Sequence, residues 1–505
     1  MIKAQWNTQA FKVRHRYLLY VFIPVLSLAM HFHIFTRDLV GYHVWRQTET
    51  QNNIENFAHG DFNILHPAIN NAGNGSGICR LEFPIMQWLF ACFYKIFGDH
   101  IIISRVLSFI IGLFTVWGMY HLTCALFKRN MVSMIAAWCF SFSPLFYYYT
   151  MNPLPDNLAL CLGVWGICFF FRWINEKRTA LLLWSAAFLG TAAMVKLPFA
   201  VYLAAAGAYA AIAVWRRQPE MKKLWHLFVA FGLCFMPAAA WYIFVIPAWQ
   251  TDGGGVVHGI LSASKSDIPN LLYLLQGNII STLPELLINY GALLFFISGI
   301  IWMLKGGAYR NRLFPVLAGW GIGVLFYFIF ELNIIGTVHD YYLYPLLPLI
   351  ILITAYGAEK LLTMPLYIIR TLSVIALAVL PLTAFLRVNH RWNTVDPGFN
   401  PDLLKYHMVL AAAAPGKALC VAGNDESGNI WFYYIRKKGW NFSSDSLSGA
   451  ALQGMIEQGA AYLYTDAPKV YQSAGIKPYL SRLVLQAGSI RVYALSEPAG
   501  KAGTR

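Results

Sequence analysis

Charged side chains are scarce in this sequence. Only 12% of its 505 residues are Asp, Glu, Lys or Arg, while 58% are hydrophobic, and a soluble globular domain normally has about 25% charged residues. The apolar residues come in blocks long enough to cross about 30 Å of hydrocarbon. This composition excludes an ordinary soluble protein and predicts an all-α polytopic membrane protein.

The eight cysteines show no regular spacing. They lie mostly inside apolar segments and form neither a disulfide framework nor a zinc pattern, so we expect them to be small core residues. The net charge of +15 does not indicate nucleic acid, because Lys and Arg cluster in short loops between apolar blocks, as the positive-inside rule requires. No nucleic-acid partner is expected.

The first apolar run lacks a cleavage site. A basic lead precedes the run 17–35, but no small-residue motif follows it, so we predict a retained span with its N-terminus in the cytoplasm rather than a secretory signal. About eleven transmembrane helices are predicted: 17–35, 101–127, 131–148, 158–174, 179–195, 198–215, 225–247, 286–304, 313–332, 345–360 and 371–388. With these spans the basic loops all fall on the side of the N-terminus.

The polar segment 36–100 is predicted to be the first extracytoplasmic loop, with two juxtamembrane helices. Phe83 to Phe97 is apolar but short for a span, which needs about 17–25 residues, and a crossing here would place the later basic loops outside. We therefore expect an amphipathic or re-entrant helix at the outer surface. Thr48 to His59 is predicted as a second surface helix, with Thr48 or Thr50 as its N-cap. The segment 250–285 is predicted to be another outer loop.

The sequence changes character after residue 388. Residues 389–505 carry Gly, Asn, Asp and Ser between short apolar runs and contain no GxGxxG motif, P-loop or metal cluster. Strands are predicted at 418–422, 461–464 and 490–495, and helices at 429–437 and 452–458. The expected organisation is a membrane domain, 1–388, and a small extracytoplasmic α/β domain, 389–505, acting as an acceptor-side or structural lid.

Several short motifs follow one another on the predicted outer face. They are Trp45-Arg46-Gln47-Thr48-Glu49-Thr50, Glu82-Phe83-Pro84, Lys95-Ile96-Phe97-Gly98, Pro155-Asp156, Val195-Lys196-Leu197-Pro198 and His339-Asp340-Tyr341-Tyr342-Leu343-Tyr344-Pro345. In this order they resemble the GT-C membrane glycosyltransferases that use polyprenyl-phosphate sugars, namely the protein O-mannosyltransferase group and the aminoarabinose transferase of lipid A. The resemblance covers roughly residues 15–390 and implies a GT-C fold.

The resemblance implies a catalytic base in the first outer loop, where the family carries an acidic residue. Glu49-Thr50 matches this position, whereas Thr48 stands where some relatives have an Asp, which leaves Asp38 as an alternative base. A carboxylate can accept the proton of a hydroxyl that attacks the sugar. The structural alternative for Glu49 is a capping carboxylate at the start of the surface helix.

Asp156 and Lys196 match further charged positions of the family. Asp156 is implied to be a second acid of the catalytic site, and its structural alternative is a helix N-cap. Lys196 interrupts an apolar stretch, where an ammonium costs about 2.5–3.5 kcal/mol unless it reaches water or a partner. A lipid phosphate in a cavity would explain it, as would snorkelling at a helix end. Arg46 could bind phosphate oxygens through its planar fork or form a surface ion pair with Glu49 or Glu82.

His339 and Tyr342 complete the predicted phosphate-binding group. His339 could donate to phosphate or be a plain interfacial histidine, and Tyr342 also fits an aromatic belt. Glu82 and, more loosely, His258 match positions at which one relative binds a metal. Two ligands are too few for a zinc site, so no obligatory metal is predicted, although a divalent metal stays possible.

These features predict an integral membrane glycosyltransferase. It would move one sugar, with inversion, from a polyprenyl-phosphate donor to an extracytoplasmic acceptor (lipid A, a protein or a polysaccharide), most simply at the periplasmic face of a bacterial inner membrane. An oligosaccharyltransferase or ligase that uses a diphosphate lipid is an alternative. A lipid-linked sugar flippase is another, but no inverted repeat is evident and the polar groups gather on one face.

Overall fold

The computed structural model describes residues 17–217, 224–249, 259–305, 313–335 and 339–496. Its α-helices are α1 (Ile23–His31), α2 (Val44–His59), α3 (Ile85–Phe97), α4 (Ile101–Phe127), α5 (Asn130–Ser141), α6 (Pro144–Tyr149), α7 (Pro155–Glu176), α8 (Thr179–Val195), α9 (Leu203–Trp215), α10 (Leu224–Val245), α11 (Ile268–Gly277), α12 (Leu293–Lys305), α13 (Phe314–Phe330), α14 (Leu332–Ile335), α15 (Leu347–Leu362), α16 (Tyr367–Val388), α17 (Pro401–Ala412), α18 (Ile430–Ile435), α19 (Gly449–Glu457) and α20 (Pro468–Tyr471). The strands are β1 (Leu419–Gly423), β2 (Lys438–Asn441), β3 (Ala460–Thr465), β4 (Leu480–Ala487) and β5 (Ile490–Leu495).

The chain folds into two compact units, each built from separate segments. The helical unit contains Met1–Thr36, Leu81–Phe83 and Ser104–Asn389, and the mixed unit contains Arg37–Arg80, Pro84–Ile103 and His390–Arg505. The mixed unit therefore combines most of the predicted first outer loop with the predicted C-terminal α/β region.

Seven helical segments of the described chain are long and apolar enough to cross a membrane. They are Ile101–Phe127, Pro155–Glu176, Leu197–Trp215, Leu224–Ala248, Lys265–Ile288, Asp340–Leu362 and Tyr367–Trp392. Six of them coincide with predicted spans, and shorter apolar helices occupy the remaining predicted spans. The prediction of a polytopic helical membrane protein with a small additional sheet is confirmed.

The prediction of a loop over residues 250–285 is wrong for its second half, which is helical. A capping box of Ser264 and Asp267 starts a helical segment, α11 follows, and a π-helix, Asn278–Ile288, continues it. Gly277 and Pro284 interrupt the apolar pattern, which is why the sequence suggested a loop. The wider π turn accommodates Pro284, whose missing N–H would break an ordinary helical hydrogen bond.

The predicted span 131–148 is divided into two helices. α5 ends at Ser141 and α6 begins at Pro144. The residue before a proline is disfavoured in helical geometry, and Ser143 is extended, with ψ of 123°. The chain therefore changes direction within this apolar block.

Helices α12 and α15 approach each other closely. A Cβ atom at Gly299 would lie 2.1 Å from the carbonyl oxygen of Ile353, and one at Gly357 would lie 2.0 Å from that of Phe295. Small residues allow such contact between membrane helices, whose association depends on packing and not on exclusion of water. Any larger residue at either glycine would push the two helices apart.

The mixed unit contains one five-stranded sheet with the order β2-β1-β3-β5-β4. β1 runs parallel to β2 and β3, and β5 runs antiparallel to β3 and β4. Strands β1, β3 and β5 confirm the three predicted strands, and α18 and α19 confirm the two predicted helices within a few residues. The edge strands β2 and β4, and helix α17, were not predicted.

Segments 37–80 and 390–496 share a hydrophobic core in the mixed unit. Leu39 and Val44 pack in one cluster with Leu403 and Leu410 of α17, and Gly41 donates its backbone N–H to Pro397 at 2.7 Å. The short outer segment 37–44 is therefore a structural part of this unit and not a free loop.

The first-loop helix begins earlier than predicted. α2 starts at Val44, after His43 in the left-handed region with φ of 56°, so Thr48 and Thr50 lie inside the helix and neither is its N-cap. Both hydroxyls instead donate to backbone carbonyls one turn back, those of Trp45 and Arg46. α3 confirms the second predicted helix of this loop.

Candidate active site

Asp156 and Lys196 form a buried ion pair in the helical unit. Asp156 is the second residue of α7, and Lys196 directly follows α8. A short turn joins these two packed helices, so the start of the first lies beside the end of the second. Lys196 Nζ is 3.6 Å from Asp156 Oδ2, and the two side chains are 9% and 3% exposed. The structure thus brings together two residues predicted from distant positions.

Two aromatic rings surround the same ammonium group. Lys196 Nζ lies 5.2 Å from the ring centre of Tyr342 and 5.8 Å from that of Tyr341. Ring faces attract cations, and the attraction is stronger where water is excluded. The ammonium is therefore stabilised inside the protein by a carboxylate and two rings, and its side chain is 9% exposed rather than extended along the surface as in snorkelling.

Tyrosine hydroxyls hold the 3-10 segment Asp340–Leu346 that carries Tyr342. Tyr149 donates to the buried carboxylate of Asp340. Tyr327 of α13 donates to the carbonyl oxygen of Tyr342 at 2.9 Å. These bonds fix the position of Tyr342 against Lys196, because the segment cannot shift without breaking them.

His339 belongs to the same cluster of side chains. Its Nδ1 lies 2.8 Å from the hydroxyl of Tyr341, and its ring stacks on Tyr342 with centres 5.2 Å apart. Four predicted site residues, Asp156, Lys196, His339 and Tyr342, are therefore close together in the helical unit.

Arg105 supports the turn before α7, and the sequence analysis did not identify it. Its side chain is fully buried, and Nη1 donates to the carbonyl of Met151 at 2.9 Å and to Asn152 Oδ1 at 3.2 Å. Asn157 continues the network by donating to the carbonyl of Asn152 at 2.7 Å. An arginine inside an apolar block was the sequence signal for this role.

A cavity of about 700 Å³ lies against this cluster. Its ionisable or hydroxyl-bearing lining residues are Glu82, Lys196, Tyr242, Tyr327, Glu331 and Tyr342, and most of the others are apolar, among them Leu197, Pro198, Val201, Ala204, Ile322 and Phe326. The cavity therefore combines a long apolar wall with one cation and two carboxylates. Glu331 was not predicted as a site residue, although a carboxylate next to an apolar segment could have indicated it.

Arg46 and Glu49 form a second buried pair, in the mixed unit. Arg46 Nη1 lies 2.6 Å from Glu49 Oε1, and the two side chains are 7% and 11% exposed. Glu49 lies more than one turn after the start of α2 at Val44, so it does not cap the helix. The ion pair that was considered for Arg46 is present, and it is buried and not at the surface.

Asp38 has structural partners in the same unit. Its Oδ1 accepts from the hydroxyl of Tyr433 at 2.7 Å and from the backbone N–H of Leu39 at 2.8 Å. The hydroxyl of Tyr434 donates to the carbonyl of Leu39. These bonds attach the outer segment to α18.

The mixed unit has a charged cavity of its own, of about 390 Å³. Its charged lining residues are Glu55, His59, Asp99, Lys417, Arg436, Lys437 and Lys438. Burial raises the pKa of Glu55 to about 7, although Arg436 and the Gln51 side chain act in the opposite direction. Burial also lowers the pKa of Lys437, whose ammonium donates to the carbonyl of Ala411 at 2.9 Å.

The two weak metal candidates are placed differently. Glu82 lines the larger cavity, whereas His258 lies outside the described residues. Within the described ranges, no group of three His, Cys, Asp or Glu side chains is arranged to hold a metal ion. The expectation that no metal is obligatory stays a prediction.

Comparison with known proteins shows what this chain is similar to. The family model described as dolichyl-phosphate-mannose-protein mannosyltransferase matches residues 82–241. No curated protein sequence matches the chain. The matched stretch includes Glu82, Asp156 and Lys196.

Solved structures match over nearly the whole chain. ArnT from Cupriavidus metallidurans bound to undecaprenyl phosphate has a TM-score of 0.63 at 12% identity, covering 97% of this chain and 99% of that one. The Archaeoglobus fulgidus oligosaccharyltransferase has a TM-score of 0.57 at 14% identity, covering 99% and 76%. The arabinofuranosyltransferase AftD from Mycobacteria has a TM-score of 0.58 at 14% identity, covering 95% and 40%.

The fold is therefore that of the GT-C membrane glycosyltransferases, as the motifs predicted. The resemblance read from the motifs is confirmed, since the chain is similar to the dolichyl-phosphate-mannose-protein mannosyltransferase family over residues 82–241 and, in fold, to a transferase solved with undecaprenyl phosphate.

Proposed function

We propose that this protein is an integral membrane glycosyltransferase that moves one sugar from a polyprenyl-phosphate donor to an extracytoplasmic acceptor. The main support for the proposal is the cavity, whose wall is largely apolar and includes Lys196, the buried partner of Asp156. An isoprenoid chain needs the apolar wall, and its phosphate needs a cation that is shielded from water.

The structural neighbours support a lipid donor. ArnT was solved with undecaprenyl phosphate, and the archaeal oligosaccharyltransferase with dolichol-phosphate and an inhibitory peptide. We extend this ligand class to the present chain, because its cavity has apolar walls for the lipid and, among the described lining residues, one lysine for the phosphate. Membrane lipids surround the helical unit, and the acceptor is a glycan, a lipid or a protein.

In the proposed reaction, an acceptor hydroxyl attacks C1 of the sugar from the face opposite the phosphate. A bond forms between C1 and the acceptor oxygen as the bond between C1 and the phosphate oxygen breaks. The electron pair of the broken bond leaves with the polyprenyl phosphate. Glu49 accepts the hydroxyl proton, with Asp38 as the alternative base, and Asp156 assists by orienting the reactants. The configuration at C1 is therefore inverted.

The departing phosphate is the main site of developing charge. We assign its stabilisation to Lys196 and Arg46, with His339 and Tyr342 as further contacts. The donor arrives already activated on its lipid, so the reaction needs no nucleotide. We expect no obligatory metal, because two candidate ligands are too few for a zinc site. Glu82 and His258 stay the weak candidates if a divalent metal takes part.

We also propose the side of the membrane on which transfer takes place. The clustering of Lys and Arg in predicted cytoplasmic loops favours a site on the extracytoplasmic side. The compact loops favour the periplasmic side of a bacterial inner membrane over the endoplasmic reticulum, which is the alternative. Lipid A, a protein and a growing polysaccharide all offer hydroxyl or phosphate acceptors on that side.

The second candidate is transfer of a whole glycan from a diphosphate lipid. It is favoured by the likeness to the archaeal oligosaccharyltransferase. A flippase has no comparable support, since no inverted repeat is evident in the sequence.

Mass spectrometry of the lipid that co-purifies with the protein tests the proposal. We expect a polyprenyl monophosphate or its monosaccharide conjugate. A diphosphate-linked oligosaccharide would favour the second candidate, and ordinary phospholipid alone, together with no transfer from polyprenyl-phosphate sugars, would refute both.

A further inference from the structure

Glu331 is placed where a carboxylate is unfavourable for three reasons. It follows the last residue of α13, where the partial negative charge of the helix C-terminus disfavours an anion. It is 6% exposed, and burial of a carboxylate is costly. Its Oε2 has no hydrogen-bond partner among the described residues. A buried polar group in this condition calls for an explanation outside the folded chain.

The same carboxylate lines the 700 Å³ cavity together with Lys196. Tyr327 connects the two positions, because it lies one turn before Glu331 in α13 and its hydroxyl bonds the backbone of Tyr342. The ring of Tyr342 in turn faces Lys196 Nζ. Glu331 is therefore part of the wall around the proposed donor.

The chemistry of the donor restricts what Glu331 can contact. The isoprenoid chain has no hydrogen-bond donor, and an ionised phosphate would be repelled by a carboxylate. The sugar is the only part of a polyprenyl-phosphate sugar that offers hydrogen-bond donors. A carboxylate is a strong acceptor for such groups.

From this placement we propose that Glu331 forms a sugar-binding subsite in the cavity and accepts a hydrogen bond from the donor's sugar. This inference rests on the proposed function and deepens it: Lys196 recognises the phosphate, and Glu331 recognises the polar substituents of the sugar. Glu331 is then a specificity residue, since it discriminates the sugar-loaded lipid from the bare polyprenyl phosphate that remains after transfer.

The test compares two probes with the purified full-length protein in detergent. One probe is undecaprenyl phosphate, and the other is a panel of undecaprenyl-phosphate monosaccharides. We expect the wild type to bind at least one loaded lipid more tightly than the bare lipid. Glu331→Leu should reduce the ratio of the two affinities about tenfold, as expected for the loss of a hydrogen bond to a charged group. Its affinity for the bare lipid should be unchanged or higher. Glu331→Gln should retain part of the preference, because its amide oxygen still accepts.

Thermal stability separates this role from a structural one. Removal of a carboxylate that lacks a partner should leave the melting temperature of Glu331→Leu equal to or above that of the wild type. Glu359 is a matched control, since it is 7% exposed but paired with Arg129 at 2.6 Å. Glu359→Leu should lower the melting temperature slightly, because it removes a charge-assisted hydrogen bond, while the Arg129 side chain, 51% exposed, stays in contact with water.

Three results would overturn the inference. The first is a wild type that binds all loaded lipids no better than the bare lipid. The second is a Glu331→Leu protein whose affinities for the loaded and the bare lipid fall by the same factor. The third is a destabilised Glu331→Leu protein whose preference for the loaded lipid is intact. If the wild type binds neither kind of lipid, the proposed function itself fails and the subsite fails with it.

Discussion

The carboxylate of Asp156 faces the ammonium of Lys196 across 3.6 Å, and both are almost fully buried. Forty residues of sequence separate them, yet they meet because α7 and α8 form a tight pair of helices. A buried ion pair seldom adds much stability over an apolar pair of the same volume. Its presence beside an apolar cavity is better explained by a ligand that exchanges with one of the partners.

Loss of the lysine should therefore affect stability and ligand binding separately. Lys196→Met leaves Asp156 buried without its cation, so we expect a loss of about 3–5 kcal/mol in the free energy of unfolding. Adding Asp156→Asn should recover much of this stability but should not restore binding of undecaprenyl phosphate. Thermal unfolding and lipid binding of the single and double variants in detergent measure both effects. Recovery of lipid binding in the double variant would contradict the phosphate role of Lys196.

Glu49→Gln should abolish transfer while binding of the lipid donor stays within a few-fold of the wild type. General-base catalysis contributes about 10²–10⁴-fold to a rate, so turnover should fall by at least about a hundredfold. Turnover of radiolabelled donor and donor affinity are the two measurements. Glu55→Gln, in the same helix but outside the proposed site, is the matched control and should retain turnover. Full activity of Glu49→Gln would shift the role of base to Asp38 or Asp156.

The charged cavity of the mixed unit should make stability depend on pH. The pKa of Glu55 is raised from 4.5 to about 7 in the folded protein, so the folded state binds more protons than the unfolded state between these values. The free energy of unfolding should therefore fall as pH rises from about 4.5 to about 7, by on the order of 1–3 kcal/mol, and then stay constant. Melting temperatures of the wild type and Glu55→Gln at pH 5 and pH 8 measure this contribution. Equal pH dependence in both proteins would contradict it.

Arg105→Met should disorder the turn that presents Asp156. The variant removes two hydrogen bonds and leaves the carbonyl of Met151 and the amide of Asn152 with fewer partners, at a cost of about 3 kcal/mol or more. We expect a lower melting temperature and a higher KM for the donor. Arg105→Lys retains the charge and should recover part of both. A protein with wild-type KM and stability would show that the turn is held without Arg105.

The sequence identified those parts of the site that lie at helix ends. Asp156 and Lys196 each stand where an apolar block begins or ends, and a charge at such a boundary is visible without any knowledge of packing. Glu331 satisfies the same criterion at the end of α13, and it was missed because no motif accompanied it. Arg105 also lies inside an apolar block, but it was missed because its partners, the carbonyl of Met151 and the side chain of Asn152, belong to a distant turn that no motif marks.

Errors in the fold have local causes. Helix α11 and its π extension contain Gly277 and Pro284, two residues that normally mark loops. The segment is nevertheless apolar and long enough to cross a membrane, where backbone groups must be hydrogen-bonded within the helix. The start of α2 was predicted too late because Thr48 resembles an N-cap residue. The helix in fact begins after His43, whose left-handed backbone geometry cannot be read from the sequence. Edge strands β2 and β4 depend on pairing with β1 and β5, and their own residues alternate too weakly to reveal it.

The mixed unit is assembled from three stretches of chain, and residues 104–389 come between the second and the third. Leu39 and Val44 share a core with α17, so the early stretches have no complete interior until the last stretch has been synthesised. During biosynthesis, their apolar side chains therefore stay uncovered while the ribosome completes all the intervening helices. Such a nascent chain should need chaperones to cover these side chains more than a protein whose corresponding unit is encoded in one piece.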